Sequence, residues 1–307
     1  MSRSNTLAVR IETHLQAKLA ALFEPVRAAA SGDAAALHAM RVAARRLRVG
    51  LRYFAELFSA NELRQVQRQL RRTTRILGKI RALDVNLQLL RPAVKYLPAG
   101  TAAVQRKLTG ELLATRQQHL RDLRDLLQTF RTSQFEAHIQ TLVLQAWPRD
   151  NQRVLSDAAD VVAKLRRQLR RRYKNCRRAG EGGPEFHKLR VAAKRYRYAL
   201  ETSTAVFRAS APVQIAAIKK LQECLGTWHD LEELVEFLRG CRRKWKPADN
   251  PLAGRLTHVL TYFQGEQEVA FAEVKNLLRE DPAWHKKVKL LLPHDESIAL
   301  SRPADRG

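Results

Sequence analysis

Residues 38–48 read H-A-M-R-V-A-A-R-R-L-R, and residues 187–197 read H-K-L-R-V-A-A-K-R-Y-R. Each stretch opens on a histidine and continues with cations at steps of three and four. One series is His38, Arg41, Arg45, Arg48 and Arg52; the other is His187, Arg190, Lys194 and Arg197. On a helix each series forms a single stripe. Like charges so spaced repel by roughly 0.2–0.5 kcal/mol per pair, so the stripe is best satisfied by an anion lying between its members. Arginine offers a planar fork that matches phosphate oxygens, lysine a point charge, and a protonated histidine donates from both ring nitrogens. Each histidine also lies near the expected start of its helix, where free backbone N–H groups favour anions. This is the chemistry of holding a phosphate-like anion.

The elements that must position these stripes are helices. Beside the first lies an apolar series, Leu37, Met40, Ala44, Leu47, Leu51 and Phe54. Phe186, Leu189, Ala193, Tyr196 and Leu200 lie beside the second. The cations thus flank the core-facing side and do not oppose it. Small residues at the centre of each copy, Val42-Ala43-Ala44 and Val191-Ala192-Ala193, allow neighbouring helices to approach closely. The following helix adds Arg68, Arg72, Arg75 and Lys79 beside Val66, Leu70, Leu77 and Ile80. In the second copy only Lys220 holds the equivalent place. Stronger contacts are therefore expected from this helix in the first half.

Apolar residues recur at three and four along almost the whole chain, and nothing alternates at period two. The spacing predicts helices over 5–29, 33–58, 60–91, 101–129, 132–146, 152–179, 184–208, 212–239 and 250–279, with a weaker one at 283–292. Asp33 is the expected N-cap of the second, and Pro184 the first residue of the helix that follows Gly182-Gly183. Trp147-Pro148 marks a break. The two motifs are offset by 149, and Leu77-Gly78 matches Leu225-Gly226 at an offset of 148. The chain is read as a duplication of about four helices per half: 1–148, 149–294, and a frayed tail at 295–307.

Of the 307 residues, 56 are Lys or Arg and 30 Asp or Glu, a formal net charge of +26 that points to a polyanionic partner. Both halves carry it, and residues 151–200 are especially basic, with further density at Arg166, Arg167, Arg170, Arg171 and Arg172. The opening residues lack the apolar stretch of a signal peptide, and no run is apolar enough for a membrane span. Three cysteines without a C-x-x-C pair fit neither a disulfide framework nor a zinc site, and fit a reducing cytoplasm. Remaining histidines such as His14, His119 and His258 are read as surface or core residues, and the aromatic residues as packing. No P-loop, H-E-x-x-H or G-x-S-x-G sequence occurs. No enzyme, metal or cofactor is expected.

On the paired motif and the two Leu-Gly steps, the chain resembles the CHAD family, the conserved histidine α-helical domain, over nearly its whole length. The resemblance implies an all-α fold of two four-helix bundles related by a pseudo-two-fold axis, with a basic central groove. It implies binding of inorganic polyphosphate, association with cytoplasmic polyphosphate granules and contact with granule-associated proteins. Carried over by position, it implicates His38, Arg41, Arg45, Arg46, Arg48, His187, Arg190, Lys194, Arg195 and Arg197. Members often show R-D-x-D after the first Leu-Gly. Here that stretch is Arg81-Ala82-Leu83-Asp84, and the second copy has His229-Asp230-Leu231-Glu232. Some members are fused to a triphosphate-tunnel domain with an E-x-E-x-K signature. Glu266-x-Glu268 is followed by Val269 and Ala270, so that signature fails. The alternative partner is nucleic acid, bound without sequence preference through its phosphates. A narrow groove suits a thin single chain better than a duplex.

Overall fold

The computed structural model describes residues 6–144, 150–179, 183–207, 209–245, 252–279 and 283–290. Within them the chain forms α-helices and short 3-10 turns, with no strand. The helices are α1 (Leu7–Phe23), α2 (Val26–Ser31), α3 (Ala34–Tyr53), α4 (Ala60–Ala93), α5 (Ala102–Thr132), α6 (Phe135–Leu144), α7 (Asn151–Ala179), α8 (Pro184–Val206), α9 (Pro212–Lys244) and α10 (Ala253–Arg279). The expected all-α class holds.

Departures from the expected boundaries have local causes. The first helix is divided at Pro25, whose missing N–H and ring interrupt the ladder and start α2 afresh. Gly32 then turns the chain at φ +97, a left-handed conformation that costs glycine little. Asp33 caps α3 as expected, its Oδ1 accepting from the Ala36 N–H at 2.7 Å. Helix α3 stops at Tyr53, and a 3-10 turn at Ala55–Leu57 replaces its expected last turn. Pro184 opens α8 after Gly183. At 283–292 the expected helix reduces to one 3-10 turn, Ala283–His285, followed by non-helical residues to 290. The fully buried Trp284 anchors that turn with its ring edge against Tyr173, 5.4 Å between centroids. The Trp147-Pro148 break and the tail at 295–307 lie outside the described residues, as do Gly182 and residues 291–292.

Packing follows one scheme twice. Helix α3 lies against α1 and α4, and α4 against α5; α8 lies against α7 and α9, and α9 against α10. Every member of the apolar series from Leu37 to Phe54 and from Phe186 to Leu200 is buried. Gly50 lets α1 come close: a Cβ there would meet Leu15 Cδ2 at 3.0 Å. The halves meet where α3 touches α8 and α4 touches α9. At this junction the Tyr53 hydroxyl and Ser203 Oγ are 2.6 Å apart, and the Arg10 Nε–H donates to the Val206 carbonyl at 2.9 Å.

Candidate anion-binding site

Because the cations of α3 and α8 flank the apolar stripes, packing the stripes into the core leaves the cations at the junction between these two helices. Arg45, Arg48 and Arg52 of α3, with His187, Arg190, Lys194 and Arg195 of α8, line one cavity of about 570 Å³. Helix α4 contributes Gln67, and α7 contributes Val161, Lys164, Leu165 and Gln168. Arg41 is not part of the lining but is close enough to Arg45, Arg81 and Arg190 to feel their charge.

Few acids stand beside the arginines of α3, whereas Asp230, Glu233 and Glu232 lie near Arg190 of α8. The Nε–H groups of Arg41, Arg48 and Arg190 are buried without an acceptor. Arg48 donates from Nη1 to Thr74 Oγ1 at 3.0 Å, and Arg190 reaches Asp230 only at 4.0 Å. Burial, followed by neighbouring arginines, pulls Arg41 and Arg48 down to about 10 from their usual range. Lys194 is pulled down to about 7 by burial and by the charges of Arg190, Arg45 and Arg41. An anion within reach reverses these shifts, since an opposite charge favours the cationic forms.

Of the two motif histidines, His187 lines the cavity and His38 does not. His38 is exposed, and its pKa is lowered by partial burial and by Arg41, Arg81 and Arg45. His187 is also exposed, and its pKa is lowered by burial and then by His229. The two rings lie 5.5 Å apart between centroids. His229 in turn faces Glu232 Oε2 at 3.3 Å through Nδ1 and Glu233 Oε1 at 3.2 Å through Nε2. Burial holds the Asp230 carboxyl above the ordinary carboxylate range, although Arg190 and His229 oppose the shift.

The other sequence-derived candidates spread over distinct surroundings. Arg46 and Arg197 share Glu201, at 3.5 and 3.3 Å, and both lie over the Tyr198 ring, at 5.9 and 5.1 Å from its centroid. On α4, Arg68, Arg72, Arg75 and Lys79 are exposed and outside the cavity lining; Lys79 instead lies near Asp122 of α5. Lys220 is exposed on α9, also outside the lining. The face of α4 that reaches α3 is one residue earlier: Gln67, whose side-chain amide donates to the Arg48 carbonyl at 2.9 Å, then Arg71 and Thr74.

Sequence reasoning missed Tyr198, Gln67, Lys164 and Gln168. A signal for the last two existed in the i, i+4 step from Lys164 to Gln168 beside the apolar face of α7. For Tyr198 none did, because its core spacing hides the arginines stacked on it. The first-half acid Asp84 is buried and accepts from the Arg116 Nε–H at 2.6 Å; Arg116 also donates to the Gly32 carbonyl at 2.8 Å. It therefore braces α5 against the turn that starts α3, away from the cations. Among the described residues, no cluster of His, Cys, Asp or Glu is arranged to hold a metal ion, and no helix is long and apolar enough to cross a membrane.

Comparison with known proteins agrees with this architecture. No curated protein matches the chain. Two solved structures share its fold: the CHAD domain from the plant Ricinus communis, at TM-score 0.68 and 20% identity, covering 93% of this chain and 94% of that one; and PptA from Streptomyces chartreusis, at TM-score 0.58 and 18% identity, covering 89% and 99%. The CHAD domain family model spans residues 13–239, from α1 through most of α9 and across both histidine-led motifs. The chain belongs to the CHAD domain family.

Proposed function

We propose that this protein binds linear inorganic polyphosphate along the junction of α3 and α8, and does so as a binding protein with no catalysis. One observation carries most of the weight: the buried Nε–H groups of Arg41 and Arg48 have no acceptor and lie among other arginines, and the buried Arg190 Nε–H has none either, with Asp230 4.0 Å from its guanidinium. Buried donors left unpaired cost about 1–3 kcal/mol each, and phosphate oxygens satisfy them with charge-assisted bonds. A flexible chain of repeating phosphates supplies one such oxygen set per step, matching a row of cations. In this reading the two halves are an internal duplication whose basic stripes meet in one groove. Membership of the CHAD family supports polyphosphate as the ligand and cytoplasmic granules, with their associated proteins, as the setting.

Non-specific nucleic-acid binding is the second reading, and the exposed Arg68, Arg72 and Arg75 on α4 favour it. Competition at moderate salt separates the two. Long-chain polyphosphate is expected to displace duplex DNA of equal phosphate content, and the reverse order overturns the proposal. Arg41→Glu with Arg190→Glu should weaken polyphosphate binding by about 100-fold or more, since two charge-assisted contacts become repulsive. Arg68→Glu with Arg72→Glu should cost far less. Equal losses mean diffuse attraction without a site.

A further inference from the structure

A second cavity, of about 590 Å³, opens between α7 and α8. Its cations are Lys164, Arg167, Arg171, Arg172, Lys188 and Arg195, and it shares Lys164, Gln168, His187, Val191 and Arg195 with the central cavity. The shared residues make the two cavities neighbours along α8. The floor between them is low because Val191 and Ala192 are small and only half-buried. The acid paired with its lining cations is Glu185, which lies 3.3 Å from Arg172 Nη1 and 2.6 Å from Lys188 Nζ. Among the described residues Arg167, Arg171 and Arg195 form no ion pair, so a strong positive excess remains.

The corresponding helix pair of the first half is far less cationic. Helix α7 carries ten basic residues against two acidic ones, whereas α1, which packs on α3 as α7 packs on α8, carries two against one. Ala43, the counterpart of Ala192, is buried. Arg46, the counterpart of Arg195, is tied to Glu201. A cationic cavity therefore adjoins the centre on the α7 side, whereas the α1 side carries few cations.

We propose that the α7–α8 cavity is an additional anion subsite that takes the part of a long polyphosphate chain extending beyond the central site, so that long chains cross the protein in one direction. The subsite rests on the polyphosphate reading above and adds a chain-length dependence to it. Phosphate oxygens there are met by Arg167 and Arg171 from α7 and by Arg195 from α8. A short oligophosphate fills the centre and leaves the subsite empty.

The test compares tripolyphosphate with long-chain polyphosphate by titration calorimetry on the full chain, unchanged and as Arg167→Glu with Arg171→Glu. The expected result is a loss of about tenfold or more for the long chain and a change within about twofold for tripolyphosphate, with a shallower salt dependence for the long chain alone. Arg167→Gln with Arg171→Gln should show a smaller loss of the same kind, and Arg242→Glu, outside both cavities, should show none. An unchanged long-chain affinity in a folded variant overturns the subsite and leaves the central site standing. Equal losses for both ligands also overturn it, since they indicate a general field. Binding of neither ligand by the unchanged protein overturns the polyphosphate reading and the subsite with it.

Discussion

At the start of α3, His38 faces Arg41, Arg45 and Arg81; at the start of α8, His187 faces His229, with Glu232, Glu233 and Asp230 nearby. The helices that carry the two histidines are near copies, so the difference comes from the helices beside them. Arg81 of α4 stands where α9 has His229, and Ala82 where α9 has Asp230. One end of the cluster is permanently cationic. The other mixes cations with carboxylates and a second imidazole. Two similar motif helices thus start in different charge surroundings.

The acids themselves divide in the same way, and this gives the largest expected effect. Asp84 is buried and bonded to Arg116, whereas Glu232, its counterpart in the second half, is half-buried beside His229. Asp84→Ala leaves the Arg116 charge uncompensated and should cost about 3 kcal/mol in urea unfolding. Glu232→Ala should cost less than about 1 kcal/mol. Equal costs would show that the two halves use these acids alike.

Lys194 lies among charges from both helices, Arg190 of α8 and Arg45 and Arg41 of α3. Its pKa near 7 means that the free protein loses this charge as pH rises through neutrality. A bound anion restores the charge, so binding should take up protons and weaken by about tenfold between pH 6 and pH 8. Lys194→Arg should flatten that profile, because a guanidinium stays charged throughout. The stability sign runs the other way. The unfolded chain binds more protons than the native one between about 7 and the ordinary lysine value of 10.5, so the contribution of Lys194 to stability rises with pH across that window. At or below neutral pH, Lys194→Met should therefore stabilise the fold, on the order of 2 kcal/mol, while weakening polyphosphate binding. A binding profile flat in pH for the unchanged protein would remove this role.

The smallest effect concerns Asp230. Its carboxylate partly offsets Arg190 from 4.0 Å away. Asp230→Asn should tighten polyphosphate binding by roughly threefold, as expected for removing one screened like charge near the ligand. Weaker binding in that variant would mean that Asp230 orients Arg190 and does not merely dilute its charge.

Much of this was legible in the sequence. The apolar series of both motif helices are buried throughout, and the cations beside them meet across the α3–α8 junction as their spacing requires. Elsewhere the same logic led to the wrong flank of a helix. On α4 an apolar stripe has polar residues on both sides; Arg68, Arg72, Arg75 and Lys79 look toward solvent, while Gln67, Arg71 and Thr74 look toward α3. Periodicity fixes an angle around one helix axis and carries no information on which flank a neighbour covers. Tyr198 was hidden for a related reason: its spacing marks it as core, and only packing brings Arg46 and Arg197 over its ring.

The sequence by itself determined the helices, the buried stripe of each, the pairing of two histidine-led motifs and the excess of positive charge, because these depend on residue type and on a repeat of 3.6 residues. The tertiary structure alone decided which arginine Nε–H groups are buried without acceptors, that Arg46 and Arg197 share Glu201 while Arg195 does not, and that α7 and α8 enclose a second cationic cavity. Those outcomes depend on distance and desolvation between residues far apart in the chain, and both are set by how helices cross.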